Sequence, residues 1–79
     1  MDAIEAGVRS ILFESFSVDG AVLQADNRLV EDLGMDSLEI VQFALDLEET
    51  FDIEVPDSSI TAEMTVGDVC EAVKILQKV

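Results

Sequence analysis

Apolar residues recur every three or four positions in three stretches of this chain, and that spacing lines one face of an α-helix. The first stretch contains five such residues, Ile4, Val8, Ile11, Leu12 and Phe16. It predicts a helix of about four turns. Asp2 and Glu5 stand three positions apart at its start, as in a capping box, and indicate where the helix begins.

The second stretch carries two apolar stripes. Its helix should begin at Asp36 or Ser37, either of which can cap free backbone N–H groups, and should end near Phe51. One stripe has the spacing of a core face and consists of Ile40, Phe43, Ala44, Leu47 and Phe51. The opposite stripe consists of Leu38, Val41 and Leu45. Because a helix in a small bundle needs only one apolar face, the second stripe indicates either a docking surface or contacts with the preceding loop.

The third stretch begins at Thr65, a capping residue that is followed three positions later by Asp68. Its apolar stripe consists of Val66, Val69, Val73 and Leu76. Pro56 opens a shorter segment, to residue 60, that should form one or two helical turns after a strand-like sequence at 53–55.

From residue 17 to residue 35 the periodicity fails. Four apolar residues should nevertheless pin this long connection to the core, namely Leu23, Leu29, Val30 and Leu33. The pattern as a whole predicts an all-α fold, a small four-helix bundle of three longer helices and one short one. We expect it to form a single domain over residues 1–79, because a chain of this length supports one small core.

Charge adds a constraint on partners. The chain has 18 acidic and 4 basic residues and a net charge of −14, and no basic residue lies between positions 29 and 73. Such a field repels nucleic acid and anionic lipid and attracts basic protein surfaces, although dispersed acids also serve simply to keep a small domain in solution. We therefore expect protein partners with basic surfaces and no binding of nucleic acid.

Candidate chemistry is sparse. The chain has no histidine, so Ser37 lacks the usual base that would make it a catalytic nucleophile, and we expect neither an enzyme nor a metal site. Cys70 is the single cysteine and should be a buried or half-buried thiol. No apolar run approaches the roughly 20 residues that span a bilayer, and the acidic N-terminus is unlike a secretory signal. The sequence thus predicts a cytoplasmic protein without stable membrane insertion, in which Ser37 is modified by another protein.

Four segments, in this order along the chain, resemble the acyl carrier protein family. They are residues 30–39 around Asp36-Ser37-Leu38, residues 47–51, residues 53–57 and residues 65–68. The resemblance covers nearly the whole chain. It implies a four-helix bundle that presents Ser37 at the start of its second helix, where a phosphopantetheinyl transferase attaches 4′-phosphopantetheine from coenzyme A.

The resemblance also implies a role for the arm, whose thiol would hold acyl groups as thioesters. Enzymes of fatty-acid, polyketide or related biosynthesis would load, condense and transfer these groups, with the carrier acting as a monomer. Asp36 disfavours an anion beside Ser37, so we interpret it as a contact for the modifying enzyme or its metal and not as a stabilising residue. The expected partner-binding residues are Leu38, Glu39, Val41, Leu45, Glu48 and Glu49. The candidate acyl-pocket residues, for which plain core packing is the alternative, are Phe43, Ala44, Leu47, Ile60, Val66, Val69 and Ala72.

Some residues depart from the commonest bacterial pattern of that family; they leave the cargo open and are consistent with a dedicated carrier of a specialised pathway. Gln42 stands where many relatives have an acid, Asp46 stands where a small apolar residue is usual, and Cys70 and Ala72 replace bulkier side chains. An aminoacyl or D-alanyl carrier remains an alternative. A small acidic calcium-binding or adaptor protein is an alternative from a different class, although no segment has the ligand spacing of an EF-hand.

Overall fold

Three α-helices make up most of the structure, a computed structural model that describes residues 3–18, 23–56 and 59–78. They are α1 (Ala3–Phe16), α2 (Ser37–Phe51) and α3 (Val66–Gln77). The three longer helices predicted from the sequence are thus confirmed, and the described chain is all-helical. None of these helices has the length and apolar character needed to cross a membrane.

The expected short helix at 56–60 is not confirmed. Residues 57 and 58 lie outside the described residues, and the described residues of this segment are not helical. The Ser59 N–H donates to the Pro56 carbonyl at 2.9 Å. Residues 53–55 are irregular, and the described chain contains no strand beyond an isolated antiparallel bridge between Arg28 and Thr65. Asp2, predicted to cap α1, also lies outside the described residues.

The core is formed by one face of each helix together with side chains from the connections. Its buried members are Val8, Ile11, Leu12, Leu23, Leu29, Met35, Ile40, Phe43, Leu47, Val55, Ile60, Val66, Val69 and Val73. Phe43 is fully buried and meets the ring of Phe16 edge to face, with ring centroids 5.9 Å apart. The predicted core face of α2 is confirmed for Ile40, Phe43 and Leu47, while Ala44 and Phe51 are half-buried.

Gly7 determines how closely α1 and α2 approach at the far end of α2. The ring of Phe51 packs against this glycine, so that a Cβ added at Gly7 would lie 2.6 Å from the ring Cζ. A side chain at this position would displace the ring or separate the helices. The loss of helix stability that a glycine causes is therefore offset by the close packing of Phe51 that it permits.

The connection between α1 and α2 is pinned to the core as predicted, with one exception. Leu23 and Leu29 are buried and Leu33 is partly buried, but Val30 is 38% exposed. Val30 follows Leu29 in a turn, where consecutive side chains point in different directions, and Leu29 takes the place in the core. The expectation that Val30 anchors the loop is therefore wrong.

We predict that Leu47→Ala lowers the free energy of unfolding by about 2–5 kcal/mol, because it removes a fully buried side chain and leaves a cavity. Leu45→Ala, two residues away on α2, should cost less than about 1 kcal/mol, because that side chain is 49% exposed. Urea unfolding monitored by circular dichroism measures both variants. Equal losses would mean that the core face of α2 is assigned wrongly.

Candidate functional site

The start of α2 is fixed by a reciprocal pair of hydrogen bonds between Asp36 and Glu39. The Glu39 N–H donates to the Asp36 carboxylate at 2.8 Å, and the Asp36 N–H donates to the Glu39 carboxylate at 3.1 Å. This is a capping box with Asp36 as the N-cap, in an extended backbone conformation. Ser37 is therefore the first residue of the helix, and its side chain is exposed.

The prediction that Asp36 or Ser37 caps α2 is confirmed for Asp36, which therefore stabilises the helix in addition to any contact with an enzyme. Its carboxylate satisfies an N–H group that the first turn of the helix leaves without a carbonyl partner. The signal was present in the sequence, since Asp36 and Glu39 have the spacing of a capping box. The Asp36 side chain is also exposed and is therefore accessible to an enzyme.

The residues before Asp36 hold the start of the helix in place. Met35 is buried, and its N–H donates to the Leu29 carbonyl at 3.0 Å. Gly34 has a φ of +71°, a left-handed conformation that glycine adopts without the steric cost of a side chain, and it turns the chain toward α2. Ser37 thus lies two residues beyond a buried anchor while its own hydroxyl faces outward from the fold.

The position of Ser37 suits an anionic group. Backbone N–H groups in the first turn of a helix lack intrahelical partners, and the helix dipole favours negative charge there by about 0.3–1 kcal/mol at an exposed site. Glu39 uses its N–H in the capping box, whereas Ser37 and Leu38 have no preceding turn to accept theirs. An exposed hydroxyl at this place is open to a modifying enzyme and can carry a phosphodiester. Within the described ranges, no three acidic, cysteine or histidine side chains are arranged to hold a metal ion.

The second apolar stripe of α2 is exposed. Leu38, Val41 and Leu45 are 79%, 59% and 49% accessible, so the preceding loop does not cover them. We call these three residues the α2 stripe. Of the acids predicted to flank it, Glu49 is exposed, whereas Glu39 and Glu48 are half-buried and accept hydrogen bonds from the backbone. The three acids therefore differ in their structural roles, a distinction that helix periodicity did not reveal.

The candidate acyl-pocket residues fall into two groups. Phe43, Leu47, Val66 and Val69 are packed in the core, and Ala72 is half-buried against it. Ala44 and Ile60 line a cavity of about 120 Å³ between α2 and the segment that follows it. The remaining lining residues are Ile40, Val41, Leu45, Glu48 and Val55. The sequence analysis thus missed the outer wall of this cavity, although the small side chain of Ala44 among larger apolar ones was a hint of space.

Two of the departures noted in the sequence pair with each other. The Gln42 amide donates to the Asp46 carboxylate at 3.0 Å across one turn of α2. The second carboxylate oxygen of Asp46 is buried and has no hydrogen-bond partner in the described structure, and we have no physical account of it. Cys70 is half-buried, as expected.

The chain matches known proteins over most of its length. Residues 6–73 match a family model described as a phosphopantetheine attachment site. An acyl carrier protein of Campylobacter lari is 40% identical over 76 residues, which cover 96% of this chain and 99% of that relative. An acyl carrier protein of a Sulfurovum species is 42% identical over 72 residues, covering 91% and 92%. One of Campylobacter concisus is 36% identical over 76 residues, covering 96% and 99%.

Both comparisons include the start of α2, so the exposed and capped Ser37 lies inside the matched region. These matches cover most of the chain and are not limited to one motif. The chain therefore belongs to the phosphopantetheine-attachment family and, within it, to the acyl carrier proteins.

Proposed function

We propose that this protein carries acyl groups as thioesters on a 4′-phosphopantetheine arm attached to Ser37. The observation that carries the proposal is an exposed serine at the first position of a firmly capped helix, in a chain that belongs to the acyl carrier proteins. The cofactor is covalently attached 4′-phosphopantetheine. Residues 1–79 would form one carrier domain.

Attachment joins the Ser37 Oγ to the phosphorus that bears pantetheine in coenzyme A. The bond from that phosphorus to the nucleotide part breaks, and adenosine 3′,5′-bisphosphate leaves. The serine proton would pass to a base of the transferase, because the chain has no histidine to accept it. The carrier contributes an accessible hydroxyl, held in place by the buried Met35 and the helix cap.

The bound arm supplies a thiol for thioester chemistry. The protein itself would catalyse no reaction; it would position the arm, shield the cargo and present a surface that enzymes recognise. The apolar cavity beside α2 is large enough for part of an acyl chain and lies on the same helix as Ser37. A larger open depression of about 720 Å³ lies at the C-terminal ends of α2 and α3, roughly 20 Å from Ser37 along α2, and is therefore a poorer candidate.

Partner enzymes would dock on the α2 stripe. Burial of the exposed apolar residues would stabilise the complex at its centre, and the surrounding acids would attract a basic partner surface over longer range. The partners would be the phosphopantetheinyl transferase and the enzymes that load, condense and transfer acyl groups in fatty-acid or related biosynthesis. The same charge distribution argues against nucleic acid as a partner.

The other functions considered from the sequence have less support. The relatives are named acyl carrier proteins, which favours an acyl cargo over an aminoacyl or D-alanyl one. Nothing in the described part of the chain favours a calcium-binding protein, since the acids of α2 and α3 serve as helix caps and surface charges. The monomeric state and the cytoplasmic location expected from the sequence remain predictions.

We predict that a phosphopantetheinyl transferase with coenzyme A adds one arm to the wild type and none to Ser37→Ala. The fold should survive, because Asp36 and not Ser37 caps the helix. Intact-mass measurement detects the arm, and circular dichroism checks the fold. Ser15→Ala, which alters an exposed serine of α1, is the matched control and should accept the arm normally. Modification of folded Ser37→Ala at another serine would overturn the assignment.

A second test concerns the α2 stripe. Val41→Ala should lower the rate of arm transfer about fivefold or more at limiting carrier concentration, with little loss of stability, because its side chain is 59% exposed. Glu49→Lys should lower the rate by roughly 2- to 10-fold at low salt, and the deficit should shrink as salt screens the charges. Glu14→Lys makes the same change in net charge at an exposed site of α1. An equal effect of Glu14→Lys would mean that overall charge, and not the stripe, governs docking.

A further inference from the structure

The cavity and the α2 stripe share a wall. Val41 and Leu45 belong to the stripe, and both also line the cavity. Glu48 stands one helical turn after Ala44 and lines the cavity as well. A partner that covers the stripe would therefore contact side chains whose other surfaces face the cavity.

The opposite wall includes Val55, which belongs to an irregular segment and not to a helix. Val55 is only 8% exposed, yet the segment 53–55 has no strand partner to hold it in place. In the described structure, Ile53 and Val55 of this segment both donate backbone hydrogen bonds to Glu48 of α2. The main-chain carbonyl of Glu48 accepts from Asp52 and, at 3.3 Å, from Ile53. The Glu48 carboxylate accepts from the Val55 N–H at 3.2 Å.

We propose that the Glu48 carboxylate is a latch that fastens Val55 onto α2 and closes the cavity, and that a cationic group of a docking partner opens the cavity by taking this carboxylate. That the cavity receives cargo rests on the function proposed above. Glu48 is thus a positioning residue for the cargo and not simply one of several surface charges.

The physical basis is competition for one carboxylate. Glu48 is half-buried at the edge of the α2 stripe, so a lysine or arginine of a partner docked there comes within reach of it. A bond between two charged groups is stronger than one from a neutral N–H, and it would draw the carboxylate outward. The Val55 N–H would then lose its acceptor in a poorly hydrated place, which loosens the wall. Conversely, cargo that fills the closed cavity would oppose this opening, since such coupling is reciprocal.

Amide hydrogen exchange of the complete, unmodified protein tests the latch without any cargo. Glu48→Ala should accelerate exchange of the Val55 amide about 10- to 100-fold, the loss expected for one hydrogen bond to a charged acceptor. Glu48→Gln keeps an acceptor oxygen and should retain part of the protection. Glu49→Ala removes the neighbouring exposed charge and should leave Val55 unchanged. The Leu47 amide reports global unfolding and should be unaffected in all three variants.

A second experiment tests the effect on the cargo. Protein that carries an octanoyl thioester on its phosphopantetheine arm is treated with hydroxylamine, which cleaves accessible thioesters. Glu48→Ala should raise the rate of thioester cleavage at least threefold over wild type and over Glu49→Ala. Equal Val55 exchange in wild type and Glu48→Ala, or equal effects of Glu48→Ala and Glu49→Ala, would overturn the latch. Faster exchange without faster cleavage would overturn its role in closing the cavity. Failure to load any arm on Ser37 would instead contradict the proposed function, and the exchange result would still decide the latch.

Discussion

The backbone hydrogen bonds between the first loop and the start of α3 are the constraint on which the functional end of the molecule depends. The Leu29 N–H donates to Met64, the Val66 N–H to Asn27 and the Gly67 N–H to Ala25, at 3.0, 2.9 and 2.8 Å. They pair polar groups that a pinned loop would otherwise bury without partners. These bonds fix the loop at Leu29, and the Leu29 carbonyl in turn accepts a hydrogen bond from the Met35 N–H. The start of α2 is therefore fixed relative to α3.

A second constraint is the excess of negative charge, which the fold leaves largely uncompensated on α2. Two of the four basic residues are held in local pairs, Arg9 with Glu5 at 3.2 Å and Arg28 with Glu31 at 2.7 Å. The Arg28–Glu31 pair is exposed and adds little stability, whereas Arg9 and Glu5 are half-buried. Neither pair includes an acid of α2. The negative electrostatic field around α2 therefore remains available to attract a basic partner. Within α2, the Glu39 carboxylate also has a structural role, because it accepts the Asp36 N–H in the capping box.

The sequence was sufficient where the determining contacts are local. The starts of α2 and α3 follow from capping residues three positions apart, and the core faces follow from helical spacing. It was insufficient where distant segments meet. The cavity exists because Val55 and Ile60 approach α2, and the roles of Glu48 and Val30 depend on the path of irregular backbone. Hydrophobic periodicity contains no information about such contacts, so the outer wall of the cavity could not be predicted from it.

We propose that in the cell Ser37 bears the arm and that the arm bears acyl cargo. Intact-mass and fragment analysis of the protein isolated from its native cells tests both parts in one measurement. We predict a single 4′-phosphopantetheine on the peptide that contains Ser37, with a fraction of molecules carrying a thioester-linked acyl group. A folded native protein that is uniformly unmodified, or that bears the arm on a different residue, would contradict it.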